Sequence, residues 1–117
     1  MNIKEFYEKI QGDYSGTMER LMKEERILKY LLRFKDAEDY PELFRALDEG
    51  NVEEIFRFSH NIKGVSLNLG LNKLAESASE FCDLFRHGMP EKDYNQELDK
   101  LKADYKETVD AINEIEA

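Results

Sequence analysis

Val52-Glu53-Glu54-Ile55-Phe56-Arg57-Phe58-Ser59-His60-Asn61-Ile62-Lys63-Gly64-Val65-Ser66-Leu67-Asn68-Leu69-Gly70 is the stretch on which the fold turns. At roughly 100° per residue, Val52, Ile55, Phe58, Ser59, Ile62, Val65, Ser66 and Leu69 fall within one arc of about 140°. That spacing predicts an amphipathic helix from 52 to about 69 with this arc against the core. Asn51 is placed to cap its start, and Gly70 to end it as a C′ residue. His60 points about 140° away from the centre of the arc, toward solvent. On that outer face its neighbours are Phe56, Lys63, Gly64 and Leu67.

Helical spacing continues on both sides. Ile3, Phe6, Tyr7 and Ile10 make a short first helix, ended by Gly12. Met18, Leu21 and Met22 form one stripe, and Ile27, Leu28, Leu31 and Leu32 form another. The second stripe is rotated by about 100° from the first, which predicts a break near Lys23–Glu24. Pro41 suits the first turn of a helix carrying Leu43, Phe44 and Leu47, with Asp39 as N-cap and Gly50 as its stop. After Gly70, Asn72 is placed to cap a helix with Leu74, Ala78, Phe81, Cys82 and Phe85 on one face, running to Gly88 before Pro90. A last helix carries Tyr94, Leu98, Leu101, Tyr105, Val109, Ile112 and Ile115. With only six glycines and two prolines in 117 residues, connections are short. The expected fold is all-α. The last four helices form an antiparallel four-helix bundle, with short extra N-terminal helices over one end. One domain is expected over 1–117, its bundle core spanning about 24–116 and residues 1–23 forming a helical cap.

Charge narrows the partners. Seventeen Lys and Arg stand against 26 Asp and Glu, a formal charge of −9. Such a surface repels nucleic acid and anionic membranes, so neither is expected as a general partner. No apolar run approaches the roughly 18 residues of a membrane span, the N-terminus lacks a secretory h-region, and a single cysteine excludes an internal disulfide. A cytoplasmic, monomeric protein is expected. Yet from Ile55 to Ala75 there is no Asp or Glu, while Arg57, Lys63 and Lys73 are present. This local cationic stretch suits a small anion, and phosphate is the first candidate.

The outer stripe around His60 is odd for a solvated face. Phe56 and Leu67 are large and apolar. Gly64 sits in mid-helix, where glycine costs about 1 kcal/mol relative to alanine, and leaves a gap one turn from the imidazole. An imidazole nitrogen is a good nucleophile near neutral pH. Phosphoryl transfer needs mainly positioning and neutralisation of oxygens, so an exposed ring beside one cation meets the requirement.

Residues 60–70, His-Asn-Ile-Lys-Gly-Val-Ser-Leu-Asn-Leu-Gly, resemble the His-x-Leu-Lys-Gly-(x)5-Gly signature of histidine-containing phosphotransfer (HPt) domains. Leu43…Leu47-Asp48-Glu49-Gly50-Asn51 is similar to the helix and turn before that signature. Leu74-Ala75…Ala78 with Arg86-His87-Gly88 is similar to those after it. The resemblance covers roughly residues 24–112. It implies a four-helix bundle in which His60 exchanges a phosphoryl group with the aspartate of a response-regulator or hybrid-kinase receiver domain. Lys63 would then steady the phosphoryl oxygens, Gly64 would leave room, and Phe56, Arg57, Asn61 and Leu67 would face the partner. No cofactor is implied for this chain, and Mg²⁺ is expected only on the receiver. Ile62 replaces the usual leucine, and Leu67 stands where the family usually has a small residue.

Plainer readings stand beside these. Phe56 and Leu67 could be core residues of a helix covered on both sides, and Gly64 could mark a close helix crossing. His87 reads as a residue favouring the dipole in the last turn of its helix, and Cys82 as a small core residue. The spacing of the two histidines gives no structural zinc site, and there is no Gly-rich nucleotide loop, so ATP-dependent self-phosphorylation is not expected and the chain is not read as an enzyme. The competing function is a helical binding module that docks or sequesters a receiver without phosphotransfer. A small helical enzyme or metalloprotein ranks last, because no carboxylate lies within 55–75.

Overall fold

The computed structural model describes residues 1–115 of the chain. Seven α-helices and no strand lie among the described residues: α1 (Ile3–Ile10), α2 (Tyr14–Leu21), α3 (Glu24–Asp36), α4 (Asp39–Glu49), α5 (Val52–Asn68), α6 (Asn72–Leu84) and α7 (Asn95–Asn113). The expected bundle limit at 116 lies outside the described residues. Helices α4 to α7 form the antiparallel bundle, each packed on the next in sequence. Side chains close it between α7 and α4: the Tyr40 and Tyr105 rings stack 3.6 Å apart at 3°, and the Lys102 ammonium lies over Phe44. Leu43, Ile55, Ile62, Leu74, Phe81, Leu101 and Ile112 fill the interior. The expected break before α3 is present, with Met22 in the left-handed region ending α2.

Helix α5 is tied down at both ends. The Asn51 side chain accepts from the Glu54 N–H at 3.2 Å, and Glu53 and Glu54 sit in the positive first turn. Arg45 of α4 pairs with Glu42, Glu49 and Glu54, linking α4 to that first turn. At the other end Gly70 adopts φ +69°, and Leu71 N–H returns to Ser66 O at 2.8 Å. The last carbonyls of a helix have no partner of their own. Here the N-terminal helices supply them. Tyr7 Oη donates to Leu69 O at 2.6 Å, Asp13 N–H donates to Gly70 O at 2.9 Å, and Arg20 donates to Asn68 O at 3.0 Å and Leu67 O at 3.3 Å. Gly12 permits the approach, since a Cβ there would stand 2.6 Å from Gly70 O. The N-terminal segment is thus the cap of α5, a role its sequence did not show.

Several local expectations are corrected. Asp39 is not an N-cap: Glu38 takes that position, and the Asp39 carboxylate instead accepts from Asn61 Nδ2 at 3.4 Å. Asn72 does not cap α6, because the tight turn at Gly70 puts buried Leu71 at the N-cap and starts the helix at Asn72. Helix α6 ends at Leu84, so His87 lies in the exposed turn beyond it and not in a last helical turn. Met22 and Leu32 are exposed, Met22 because the chain reverses there. Val65, assigned to the core arc, is 40% exposed because it borders an open cleft between α3, α5 and α7. Phe34 and Thr17 are buried instead.

Burial pushes the Tyr7 phenol up to about 12. A phenol raised above its ordinary value of about 10 contributes its full stability below that pH and loses it as pH rises through the folded value. Stability is therefore expected to fall between about pH 10 and 12. Tyr7→Phe should be less stable at neutral pH by about 1–2 kcal/mol, because Leu69 O loses its donor, yet decline less steeply in alkali. Urea denaturation across that range checks both. Parallel alkaline declines in the two proteins would contradict the assignment.

Candidate functional site

The buried side of α5 is formed by Ile55, Ser59, Ile62 and Ser66. Ser59 Oγ donates to Ile55 O at 2.7 Å, which satisfies a hydroxyl inside the bundle. Ser66 Oγ is buried with no hydrogen-bond partner among the described residues. Packed by α4 on one flank and α6 on the other, α5 can expose only its outer stripe. His60, Asn61, Gly64 and Leu67 are exposed there, and Phe56 and Lys63 are half-buried.

The imidazole of His60 makes no hydrogen bond or ion pair among the described residues. Its one close ring neighbour is Phe56, nearly parallel at 14° with centroids 5.8 Å apart, an offset stack. The guanidinium of Arg86 lies on the Phe56 ring at 5.3 Å and pairs with Asp83 at 2.8 Å. The Arg86 contact holds the Asp83 carboxyl below its ordinary range, with a smaller contribution from Lys63. Asp83, Arg86, Phe56 and His60 thus stand in a row from the end of α6 to α5. In the sequence Arg86 stood out only within Arg86-His87-Gly88, the turn that resembles the one after the signature, and not as a site residue. It lies 26 positions from His60 and just beyond α6, where no helical periodicity connects the two.

Gly64 has nothing within 4 Å of the place a Cβ would take. No helix crosses there, so the packing explanation for this glycine fails. Lys63, one turn from His60, forms no ion pair within 4 Å among the described residues. The other cations of the acid-free window are engaged elsewhere. Lys73 bonds Glu107 at 3.1 Å, and Arg57 lies over Phe58 at 4.7 Å with Glu54 at 3.7 Å. The window is also less acid-free in space than in sequence: Glu76 and Glu80 of α6 line a groove with Lys63 and Leu67. Leu67 is 53% exposed and Phe56 is half-covered, so of the two only Leu67 lies fully on the outer face.

Among the described residues no three His, Cys, Asp or Glu converge to hold a metal. Cys82 is buried, its Sγ 3.7 Å from Phe56 O, and burial raises its thiol pKa. No described helix is long and apolar enough to cross a membrane.

No curated protein and no solved structure matches the chain. The family model described as Hpt domain matches residues 28–114, from α3 to the end of α7. Members of that family are phosphorelay phosphocarriers rather than kinases, and they interact with receiver domains. An all-helical bundle with an unpaired histidine on the water side of its second helix, matched over most of its length, makes this chain a member of the Hpt domain family.

Proposed function

We propose that His60 carries a phosphoryl group and exchanges it with the aspartate of a response-regulator or hybrid-kinase receiver domain. The observation that carries this reading is the pairing of His60 with Gly64. An imidazole with no hydrogen bond or ion pair among the described residues stands one turn from a helical glycine whose missing side chain leaves open space. A glycine that costs the helix about 1 kcal/mol and relieves no internal contact makes sense as clearance for something outside the chain.

In the transfer, the unprotonated ring nitrogen attacks the phosphorus of the receiver's aspartyl phosphate. The N–P bond forms as the P–O bond to the carboxylate breaks, and the proton on the other ring nitrogen stays in place. Lys63, with no carboxylate within 4 Å among the described residues, neutralises the phosphoryl oxygens. The Phe56 ring stacks beside the imidazole, and the Arg86 guanidinium lies against Phe56 in turn. The receiver's Mg²⁺ and carboxylate supply the remaining electrostatics, so this chain needs no cofactor and has no turnover of its own. Phe56, Arg57, Asn61 and Leu67 form the docking rim. In this reading the chain works as a monomeric single domain in the cytoplasm, where a buried free thiol such as Cys82 stays reduced.

Incubation with a phosphorylated receiver and Mg²⁺ should place acid-labile, base-stable label on the wild type and none on His60→Gln. Label retained by that variant rules the assignment out. Receiver binding without label in the wild type would favour the plain docking module. Gly64→Ala separates stability from function. Thermal melts should show it more stable by up to about 1 kcal/mol, because the Cβ meets nothing. Its transfer rate should fall on the order of tenfold to a hundredfold, because the methyl occupies the clearance. A variant that transfers phosphate at the wild-type rate would remove the argument from Gly64.

A further inference from the structure

On the flank of α5 turned toward α3 and α7 there is a cleft of about 370 Å³. That volume lies in the range of small-molecule sites. Tyr30 and Phe34 of α3, Tyr40 of α4 and Tyr105 of α7 line it, and Ile62 and Val65 of α5 contribute its aliphatic side. The exposure of Val65, unexpected for a residue on the core arc, arises from this opening. The stacked Tyr40 and Tyr105 rings form a flat aromatic surface. The hydroxyls of Tyr30, Tyr40 and Tyr105 make no hydrogen bond to the described residues.

The charged groups on the lining are unequal. Asp39 accepts from the neutral Asn61 amide at 3.4 Å and keeps its negative charge on the α4 edge of the cleft. Arg33 has no carboxylate within 4 Å among the described residues, and its guanidinium stands 5.4 Å from the Tyr30 ring centroid. In a chain of net charge −9, an arginine without an acidic partner on an aromatic wall is an available fork for an anion. We infer that this cleft binds a small planar aromatic molecule bearing one anionic group, its ring between Val65 and the tyrosines and its anion on Arg33.

The inference does not depend on phosphotransfer at His60. The cleft shares Gly64 with the face proposed for the receiver, and its volume admits a single side chain or ring system.

The test is an NMR titration of the ¹⁵N-labelled full chain with naphthoate, its neutral amide, and the corresponding naphthylmethylammonium cation. Naphthoate should saturate with a dissociation constant below about 1 mM and shift the amides of Arg33, Val65 and Tyr105. The amide should bind about tenfold more weakly, and the cation more weakly still. Arg33→Gln should lower naphthoate affinity about tenfold and leave the amide unchanged. Val65→Trp, a filling change at an exposed position, should abolish both. The inference is overturned by a linear, non-saturating response, by naphthoate affinity unchanged in both variants, or by a cation that binds as well as the anion. Shifts of the cleft residues caused by a receiver domain and by none of the three probes would overturn it as well.

Discussion

Helix α5 must be dry along one side and wet along the other, and the rest of the molecule is arranged to hold it that way. Its inner side buries Ile55, Ser59, Ile62 and Ser66, and its outer side exposes His60 and Gly64. A helix held by one flank alone could rotate and bury the histidine. Packing by α4 and α6 together prevents this, and the Arg45 pairs fix the first turn against α4. At the far end the carbonyls of residues 67–70 take their donors from Tyr7, Asp13 and Arg20, so the N-terminal helices hold the same element axially. The helix that carries the imidazole is therefore held from both sides and at both ends, with the Phe56 ring stacked beside His60.

Electrostatics gives this helix a local identity within an acidic protein. Eight of the 17 lysines and arginines pair with a carboxylate among the described residues, as at Lys9–Glu114, Lys73–Glu107 and Lys106–Asp110. Exposed pairs of this kind contribute little to stability, but they cancel charge. Lys63 and Arg33 are cations on the two sides of α5 without such a partner among the described residues. One stands next to His60, and the other lies on the aromatic cleft.

The helices and their order were legible because periodicity of apolar residues reports burial directly, and α5 was the clearest case. Asn51, Gly50 and Gly70 also read correctly, since capping and left-handed turns are local chemistry. The failures are tertiary. Asp39 and Asn72 have the right side chains for caps. The first is diverted to Asn61 across the helix pair, and the second is displaced by the burial of Leu71. His60, Lys63, Gly64 and Leu67 could be placed side by side because they share one helical face. Arg86 was not grouped with them because it reaches Phe56 from the turn beyond α6, and the partners of Lys73 and Arg57 were equally invisible. The role of residues 1–22 also depends on contacts some 50 to 60 positions away, as at Tyr7–Leu69 and Arg20–Asn68.

The central claim is that a single exposed imidazole bears the phosphoryl group. A ³¹P–¹⁵N correlation spectrum, recorded on protein with ¹⁵N-labelled histidine after exposure to a panel of phosphorylated receiver domains, tests it most directly. The account predicts one phosphorus resonance coupled to a ring nitrogen of His60, with the ring of His87 unchanged. Phosphorus coupled to His87, or a protein-bound phosphorus with no coupling to any histidine nitrogen, would contradict it.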